Sequence, residues 1–483
     1  MTGAVLAIDQ GTSATKALVV AEDGAVLAEV DRPLSVRTPK PGAVEVDPGE
    51  LLASVLDAGR AAVAAAGVGA GVVGLANQGE TVLAWDPATG EALSQCVVWQ
   101  DRRAVEVCES LRDVADRLGE ISGLPLDPYF SAPKMRWLRE RVGAGGVVTT
   151  TDTWLLHRLT GEFVTDVATA SRSMLLDLES GTWSDEAWEL FGLTERRPRL
   201  AGNDEVVGTT SAFGTEIPVA GVIVDQQAAL WAQRCRERGE AKCTYGTGAF
   251  LLVNTGDRPQ RSEAGLTPSI AWQIAGQRRW CLDGQVYTVG KAVSWLRDVG
   301  LLGSAGELDE LASTVDDTGG VFFVPSLAGL AAPHWQPGAT GGFLGLNLAA
   351  TRAHLARAVC LGIAAQIVDL VDAAAADLGG TAPRLRLDGG LTRSRVLVQL
   401  QADLLQAPVE VAAAPHATAL GVADLAVRGA VGRPLPDPRP GTVVEPSRPP
   451  AWAAEQLGRW RSALEATRQF SGEGRVFPGR ADS

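Results

Sequence analysis

The feature that most constrains the fold is a strand, a tight Gly/Thr turn and a second strand, a pattern that occurs twice. The first copy contains "DQGTSAT" near residue 9 and the second contains "YGTGAF" near residue 245. Turns of this kind direct several backbone N–H groups at one point and can bind a phosphate. One such turn is usually only a hairpin. Two of them, with a later "DGG" turn that enters a helix, favour a nucleotide-phosphate site between two similar halves.

The length of 483 residues also indicates more than one domain, because single cores seldom grow beyond about 250–300 residues. We divide the chain into a first domain, 1–231, and a second domain, 232–483. The proline-rich composition of segment 433–450 predicts a linker. A tail helix is predicted after it, over roughly 451–469, and its tryptophans are expected to pack on the second domain.

Hydrophobic periodicity places helices and strands in alternation along both halves. The segments predicted as helices are 48–66, 101–118, 131–142 and 351–377. Strands are predicted at "AVLAIDQ", "KALVV", "GVVGLANQ", "TVLAWD", "AGVIVD" and "LRLD". This order predicts an α/β fold in which several strands end next to polar residues or turns.

Composition excludes several classes of function. The net charge of −14 argues against a nucleic-acid partner, which requires a basic surface. No apolar run reaches the ~18–20 residues of a membrane span, and the N-terminus shows no signal-peptide pattern. The six cysteines form no C-x-x-C pair or Cys/His cluster, which is typical of reduced thiols. We therefore expect a cytoplasmic protein without a membrane or nucleic-acid partner.

Two aspartates carry the predicted chemistry. Asp9 and Asp225 each end an apolar strand, and each stands beside a phosphate-type turn or a helix start. Either one alone could be a helix cap or a turn residue. Together they suggest phosphoryl transfer, which needs a divalent cation and a carboxylate that accepts the proton of the attacking hydroxyl. We assign Asp225 as the base and Asp9 as the metal-side carboxylate.

Long blocks of the sequence, in order, resemble the FGGY carbohydrate kinases, and among them the glycerol kinases. The blocks include "AIDQGTSATKALVV", "ANQGETVLAW", "DPYFSAPKMRWL", "ASRSMLLDL", "VAGVIVDQQAAL", "KCTYGTGAFLLVNTG" and "LRLDGGLTRSRVLVQLQADLL". The resemblance extends from the first strand to about residue 430. It implies two actin-like (ribonuclease H-like) domains around a catalytic cleft, with ATP and Mg²⁺ on one side and a polyol or sugar on the other. It also implies a possible homodimer or homotetramer.

The resemblance assigns residues to both sides of this cleft. The implied polyol contacts are Gln78, Glu80, Trp99, Tyr129, Asp225, Gln226 and Phe250. The implied nucleotide contacts are Gly11, Thr12, Ser13, Thr15, Lys16, Gly246, Thr247, Gly290, Ser294, Gly390 and Ser394. Asp9 is the implied Mg²⁺ residue. Lys16 replaces an arginine of the glycerol kinases, and Ser294 and Ser394 replace amide side chains that contact the nucleotide there.

The main departure is Gly79 in "NQGE", where glycerol kinases have an arginine that hydrogen-bonds glycerol. Charge-assisted hydrogen bonds contribute about 1.5–3 kcal/mol each, so their loss would weaken glycerol binding. Either another Arg or Lys substitutes from a neighbouring loop, or a longer polyol, a tetritol or pentitol, fills the space. Glycerol is the expected substrate and the longer polyol is the alternative.

Two further interpretations remain, one from the same family and one from another class of protein. A ketopentose kinase, for xylulose or ribulose, belongs to the same family but lacks the "DPYFS" and "NQ-x-E" blocks present here. A catalytically weak nucleotide-binding protein is possible because actin-like folds also serve as chaperones and filaments. The intact Asp9, Asp225 and polyol-side aromatic residues argue against it.

Overall fold

The structure is a computed structural model that describes residues 3–380 and 382–471. In chain order the strands are β1 (Ala4–Gln10), β2 (Ala14–Val20), β3 (Val26–Pro33), β4 (Glu45–Val46), β5 (Ala70–Asn77), β6 (Val82–Trp85), β7 (Cys96–Val97), β8 (Val147–Thr150), β9 (Val164–Asp166), β10 (Leu176–Asp177), β11 (Thr182–Trp183), β12 (Arg199–Ala201), β13 (Gly208–Thr210), β14 (Ile217–Val224), β15 (Glu240–Tyr245), β16 (Ala249–Gly256), β17 (Thr267–Ile274), β18 (Gln277–Val286), β19 (Phe322–Val324), β20 (Gly342–Leu344), β21 (Arg384–Asp388), β22 (Val409–Val411) and β23 (Thr442–Val444).

The α-helices in chain order are α1 (Pro48–Ala66), α2 (Val105–Ser110), α3 (Ala115–Ser122), α4 (Ser131–Val142), α5 (Thr151–Thr160), α6 (Val167–Ser171), α7 (Asp185–Leu190), α8 (Asp225–Ala232), α9 (Gly290–Asp298), α10 (Glu307–Ala312), α11 (Arg352–Asp377), α12 (Arg395–Leu405), α13 (Ala417–Val431) and α14 (Pro450–Ser471). Two short 3₁₀ turns, Arg112–Val114 and Gly390–Arg393, complete the elements.

Two sheets repeat one topology, as the paired hairpins predicted. The first sheet has the order β13-β14-β5-β1-β2-β3 and the second β17-β18-β16-β15-β21-β22-β23. In each, an antiparallel three-stranded meander lies next to two parallel strands: β3-β2-β1 beside β5 and β14, and β18-β16-β15 beside β21 and β22. We call the half built on the first sheet the first lobe and the half built on the second sheet the second lobe.

Local signals place the first crossover helix where the sequence predicted it. The side chain of Asp47 caps α1 by accepting a hydrogen bond from the Glu50 N–H, and Pro48 occupies the first turn. Both features are typical of helix starts. Gly67 ends the helix with a φ of 66°, a left-handed conformation that glycine adopts without strain.

One predicted helix is wrong in its extent. The segment 101–118 contains α2, a 3₁₀ turn and the beginning of α3 instead of one helix. Asp101 accepts hydrogen bonds from the Val44 N–H and from Arg103, which ties the start of the segment to another part of the first lobe. The helix therefore begins only at Val105.

The C-terminal region also refines the prediction. The segment 433–450 is not only a linker, because β23 adds an edge strand to the second sheet. The tail helix α14 packs on the second lobe as expected. Trp460 is fully buried, and its indole N–H donates to the Phe323 carbonyl at 3.0 Å.

Helix α13 belongs to the second half by sequence but packs against β14, β5, β1 and α8 of the first lobe. The division at residue 231 remains a prediction about domains, and α13 connects the two lobes across it. One buried hydrophobic cluster contains residues of α13 together with Val224 of the first lobe and Leu252 and Trp272 of the second, and so joins the two lobes.

One helix within the described ranges, α11, is long and apolar enough to cross a membrane by length and composition. Most of its apolar window, 83%, is buried inside the protein. The helix therefore forms part of the core of the second lobe, where it packs on α10, α12 and β19.

Candidate active site

The candidate site lies where three neighbouring parallel strands of the first sheet end. Asp9 is in β1, Gln78 follows β5, and Asp225 follows β14 as the first residue of α8. The register pairs Gln10 with Asn77 and Val224 with Asn77, so these three strand ends are adjacent. The carboxyl ends of parallel strands are the usual position of ligand sites in open α/β sheets.

The two carboxylates at this edge influence one another. Burial, together with the neighbouring charges of Asp9 and Glu80, raises the pKa of Asp225 to about 7. Burial also raises the pKa of Asp9 to about 6, against the opposing charge of Lys16. A carboxyl group with a pKa near neutrality is suited to accept a proton from a substrate hydroxyl.

Both Gly/Thr turns have the form of phosphate cradles. The Gly11 N–H bonds to the Ala14 carbonyl and the Gly246 N–H bonds to the Gly248 carbonyl, which closes the two turns. Across residues 3–380 and 382–471, no hydrogen bond engages the backbone N–H groups of Thr12, Ser13 and Thr247. Free N–H groups in a tight turn are the donors that bind phosphate oxygens.

The second turn is held in place by the start of α9. The Gly290 N–H donates to the Gly246 carbonyl at 3.0 Å. A Cβ atom at residue 290 would lie 2.5 Å from the Gly246 oxygen. Position 290 therefore requires glycine because the helix approaches the turn backbone too closely for any side chain.

Aromatic side chains form a box beside the first turn. The rings of Trp99 and Tyr129 lie edge to face at 5.8 Å, and those of Trp99 and Phe250 at 6.1 Å. The Trp99 indole N–H donates to the Thr12 hydroxyl at 2.9 Å. A wall suited to the carbon face of a polyol is thus attached directly to the first phosphate turn.

Two amides flank Asp225. The Gln78 side-chain oxygen accepts from Thr81 at 3.2 Å, while its buried side-chain nitrogen has no hydrogen-bond partner among the described residues. The Gln226 oxygen accepts from the fully buried Lys242 ammonium at 2.5 Å. A buried unpartnered donor is costly unless a ligand or water satisfies it, so Gln78 is positioned as a ligand contact.

Glu80 has an unusual backbone and a buried side chain. Its φ is 59°, in the left-handed region that non-glycine residues seldom occupy. Its carboxylate accepts from the Arg172 Nε atom at 2.7 Å. Strained backbone is characteristic of functional sites, which agrees with the substrate role expected for Glu80.

Gly79, beside Glu80, leaves a partly open space. A Cβ atom there would approach the Cγ2 atom of Val224 at 3.0 Å and, apart from the adjoining residues, no other atom of the part of the chain that the structure describes within 4 Å. The residue is buried and its φ is not in the left-handed region. Glycine is therefore not required by the backbone, and the absent side chain leaves room in the pocket.

Two of the predicted nucleotide contacts have hydroxyl groups that are engaged inside the protein. The Thr15 side chain is fully buried, and its hydroxyl bonds to the Ser54 hydroxyl of α1 at 2.7 Å, because this position of β2 faces the core. The Ser394 hydroxyl caps α12 and donates to Asp309 at 2.6 Å. These contacts argue against a nucleotide role for either hydroxyl, and both assignments stay predictions.

The remaining nucleotide-side residues vary in what they contact. Lys16 pairs with Glu29 at 2.8 Å and lies opposite Asp9 in the β1–β2 register. The Ser294 hydroxyl bonds back to the carbonyl of Gly290. Gly390 is exposed in a 3₁₀ turn. These assignments remain predictions.

Sequence reasoning missed the residues that support the site. Lys134 is fully buried and its ammonium donates to the carbonyls of Pro128, Tyr129 and Phe130, at 2.9, 2.5 and 2.6 Å. These contacts fix the loop that carries Tyr129. A lysine four residues after an aromatic pair in "YFSAPK" gives no signal of burial, so only the fold reveals the contact.

The donor groups present fit ATP and Mg²⁺. Mg²⁺ in phosphoryl-transfer sites is usually held by one or two carboxylates together with phosphate oxygens and water. Asp9 and Asp225 supply two carboxylates, and burial raises the pKa of both against only partial opposition from Lys16 and Lys242. A divalent cation next to them would supply further positive charge, and the free turn N–H groups would bind the phosphates.

Comparison with protein-family models matches nearly the whole chain. The N-terminal domain of the "FGGY family of carbohydrate kinases" matches residues 4–232, and its C-terminal domain matches residues 241–430. The chain belongs to the FGGY family of carbohydrate kinases. The predicted two-lobed actin-like fold and the ATP-dependent kinase activity are thereby confirmed.

Curated relatives make the resemblance more specific. The glycerol kinase of Thermus brockianus is 43% identical over 97% of this chain and 99% of its own length. The glycerol kinase of Alkalilimnicola ehrlichii is 44% identical over 89% of this chain and 90% of its own length. The glycerol kinase of Myxococcus xanthus is 40% identical over 95% and 98%, respectively.

Solved structures agree with this result. A Plasmodium falciparum glycerol kinase with ADP superposes with a TM-score of 0.89 at 30% identity, covering 96% of this chain and 98% of that one. A "xyloylose kinase" from Brucella ovis gives a TM-score of 0.86 at 27% identity, with 96% and 99% coverage. ATP and Mg²⁺ as the nucleotide and metal agree with the family and with the ADP in the first of these structures.

Proposed function

We propose that this FGGY kinase transfers the γ-phosphoryl group of ATP to a terminal hydroxyl of glycerol, forming glycerol 3-phosphate. The observation that carries the proposal is the position of Asp225. It lies at the sheet edge shared by Asp9 and Gln78, and the neighbouring carboxylates help to raise its pKa to about 7. The 40–44% identity to glycerol kinases over most of the chain supports glycerol as the acceptor.

The mechanism follows from the roles of these residues. Trp99, Tyr129 and Phe250 hold the carbon face of the polyol, while Glu80 and Gln78 bind its hydroxyls. Asp225 accepts the proton of the terminal hydroxyl as the oxygen attacks the γ-phosphorus in line, and the bond from phosphorus to the β,γ-bridging oxygen breaks. The products are the phosphate monoester and ADP.

Charge compensation comes from the two turns and the metal-side carboxylate. The unengaged N–H groups of Thr12, Ser13 and Thr247 stabilise charge that develops on the phosphoryl oxygens. Asp9 would hold Mg²⁺, which neutralises negative charge on the β- and γ-phosphates. Closure of the lobes excludes water, which would otherwise compete with the polyol for the phosphoryl group.

A longer polyol is the second candidate acceptor. The open side of Gly79 favours it, because a tetritol or pentitol could occupy the volume that a side chain would fill. A ketopentose such as xylulose is a third candidate, and the Brucella ovis neighbour at 27% identity supports including it in the test. The identity to the glycerol kinases is higher than to that structure, so glycerol remains first.

The remaining parts of the proposal concern location and assembly. A cytoplasmic location agrees with six free cysteines, five of them buried. A homodimer or homotetramer stays a prediction drawn from the family. No nucleic-acid or membrane partner is proposed, in keeping with the acidic charge.

The test is a coupled ADP-release assay on purified protein with glycerol, erythritol, D- and L-threitol, the pentitols, xylulose and ribulose. We expect saturation by glycerol at low concentration and loss of several orders of magnitude in kcat for Asp225→Asn. Efficient use of a four- or five-carbon polyol with weak glycerol turnover would move the assignment to the second candidate. Near-normal turnover by Asp225→Asn would remove Asp225 as the base.

A further inference from the structure

A buried ion cluster connects the polyol side of the site to the second lobe. Arg172, at the end of α6, is 2% exposed and donates from Nε to Glu80 at 2.7 Å. Its Nη2 atom lies 2.9 Å from the Asp283 carboxylate of β18. Its Nη1 atom donates to the Thr267 hydroxyl of β17 at 3.3 Å. One guanidinium thus joins a predicted substrate residue of the first lobe to two strands of the second.

This guanidinium also lies next to the aromatic box. Its central carbon is 5.8 Å from the Tyr129 ring centroid and 5.3 Å from that of Phe130. Lys134, the other cation near Glu80, gives its three donors to backbone carbonyls. Among the residues that the structure describes, Glu80 has its ion pair with Arg172 and with no other side chain.

We propose that Arg172 is a positioning residue of the polyol pocket, which holds Glu80 as an oriented carboxylate. One Glu80 oxygen is bound to Arg172, and the other is left to accept a substrate hydroxyl. Asp283 balances the second half of the guanidinium charge from the opposite lobe. The proposal rests on the polyol-kinase function given above. It explains how the chain retains a cation beside Glu80 although residue 79 is glycine.

The surroundings of Glu80 show why such a partner matters. Burial raises the pKa of Glu80, and the Arg172 charge opposes that rise. The other ionisable groups that face it are Asp283 and Asp225, which favour the protonated form, together with Lys134, Tyr129 and Tyr287. Without Arg172, Glu80 would hold its proton to higher pH, and the oriented acceptor would be lost near neutrality.

The experiment compares Arg172→Met and Arg172→Lys with wild type over pH 6.5–9. Arg172→Met is expected to raise the polyol KM at pH 7 by about tenfold or more, since a lost charge-assisted contact is of that size. The KM should fall again toward pH 9 as Glu80 ionises. The KM for ATP should change little, and Arg172→Lys should restore part of the polyol affinity.

Arg278→Met is the matched control. Arg278 also bridges the lobes, since it donates to the Ser180 carbonyl of the first lobe from β18, but among the contacts of the described residues no hydrogen bond or ion pair joins it to Glu80. If Arg172 only stabilises the interlobe contact, both arginine variants should lower the melting temperature and leave the polyol KM and its pH dependence unchanged. That result would overturn the proposal.

A double-mutant cycle with Glu80→Gln tests whether Arg172 acts through Glu80. In the Glu80→Gln background there is no carboxylate to hold, so adding Arg172→Met should not raise the polyol KM further. If the KM increases of the two single variants multiply in the double variant, Arg172 acts independently of Glu80, which contradicts the proposal. A wild-type protein that releases no ADP with any polyol removes both proposals, whereas an active wild type with an unchanged KM in Arg172→Met removes only this one.

Discussion

Replacement of Asp225 by Asn should inactivate the enzyme and at the same time stabilise the fold. In the folded protein, burial and the charges of Asp9 and Glu80 raise the pKa of Asp225 from 3.8 to about 7. When folding raises the pKa of a carboxyl group, its ionisation in the folded protein, at a pH above that pKa, lowers the free energy of unfolding. A rise of about three pKa units corresponds to about 4 kcal/mol, and we expect about 2–4 kcal/mol because the side chain is partly exposed to solvent.

The sign of the pH dependence follows from proton linkage. Between pH 4 and 7 the folded state binds more protons at this site than the unfolded state, so stability from this residue falls as pH rises. The loss of unfolding free energy from ionised Asp225 reaches its full size above pH 7 and is absent below about pH 4. Asparagine cannot ionise, and its side-chain oxygen can still accept from the Gln226 N–H, as Asp225 does at 2.7 Å.

The assay is a thermal melt of both proteins, followed by circular dichroism, from pH 5 to 8.5 and without nucleotide. The melting temperature of Asp225→Asn should exceed that of wild type at pH 8, and the difference should shrink as pH falls. Asp257→Asn, at an exposed position after β16, is the matched control and should give no such pattern. An equal or lower melting temperature for Asp225→Asn at pH 8 would refute the reasoning.

Three further outcomes follow from particular contacts. Thr15→Val should lower the melting temperature and leave the KM for ATP unchanged, because the Thr15 hydroxyl is hydrogen-bonded to Ser54 inside the core. A raised KM for ATP in a steady-state assay would contradict this. Gly290→Ala should raise the KM for ATP by an order of magnitude or more, since its Cβ would lie 2.5 Å from the Gly246 oxygen; an unchanged KM would show that the turn does not bind phosphate. Lys242→Met should raise the polyol KM about 3- to 10-fold by releasing Gln226, and titration of glycerol into the enzyme by calorimetry would detect the loss or show that it is absent.

The repeated fold could be predicted because its signals are local. Each hairpin contains alternating apolar residues and a Gly/Thr turn, and α1 has its capping aspartate and its first-turn proline. The same local reasoning failed at 101–118. There Asp101 accepts a hydrogen bond from Val44, a residue distant in sequence, and the helix begins only at Val105. Periodicity describes which faces are apolar and does not describe such contacts.

The site was predictable to the extent that its residues occupy strand ends. Asp9 and Asp225 could be predicted because each is a carboxylate at the end of an apolar strand, whereas Gln78 was assigned only by the resemblance to the kinase family. Arg172 could not be found in this way, since "ASRSML" gives no sign that its arginine reaches across the cleft. The sequence could not show which way Thr15 faces, since a threonine beside a Gly/Thr turn can face the cleft or the core, and strand alternation turns this one inward.

The contacts around the cleft suggest that donor and acceptor are not recognised independently. Trp99 of the polyol wall is hydrogen-bonded to Thr12 of the first phosphate turn. Phe250, on the other side of the same aromatic box, lies four residues after Gly246 of the second turn, on the strand that the turn begins. A phosphate that orders either turn would therefore also fix a wall of the polyol pocket. Because an empty polyol pocket would leave water beside the γ-phosphate, such coupling favours phosphoryl transfer to the polyol over hydrolysis of ATP.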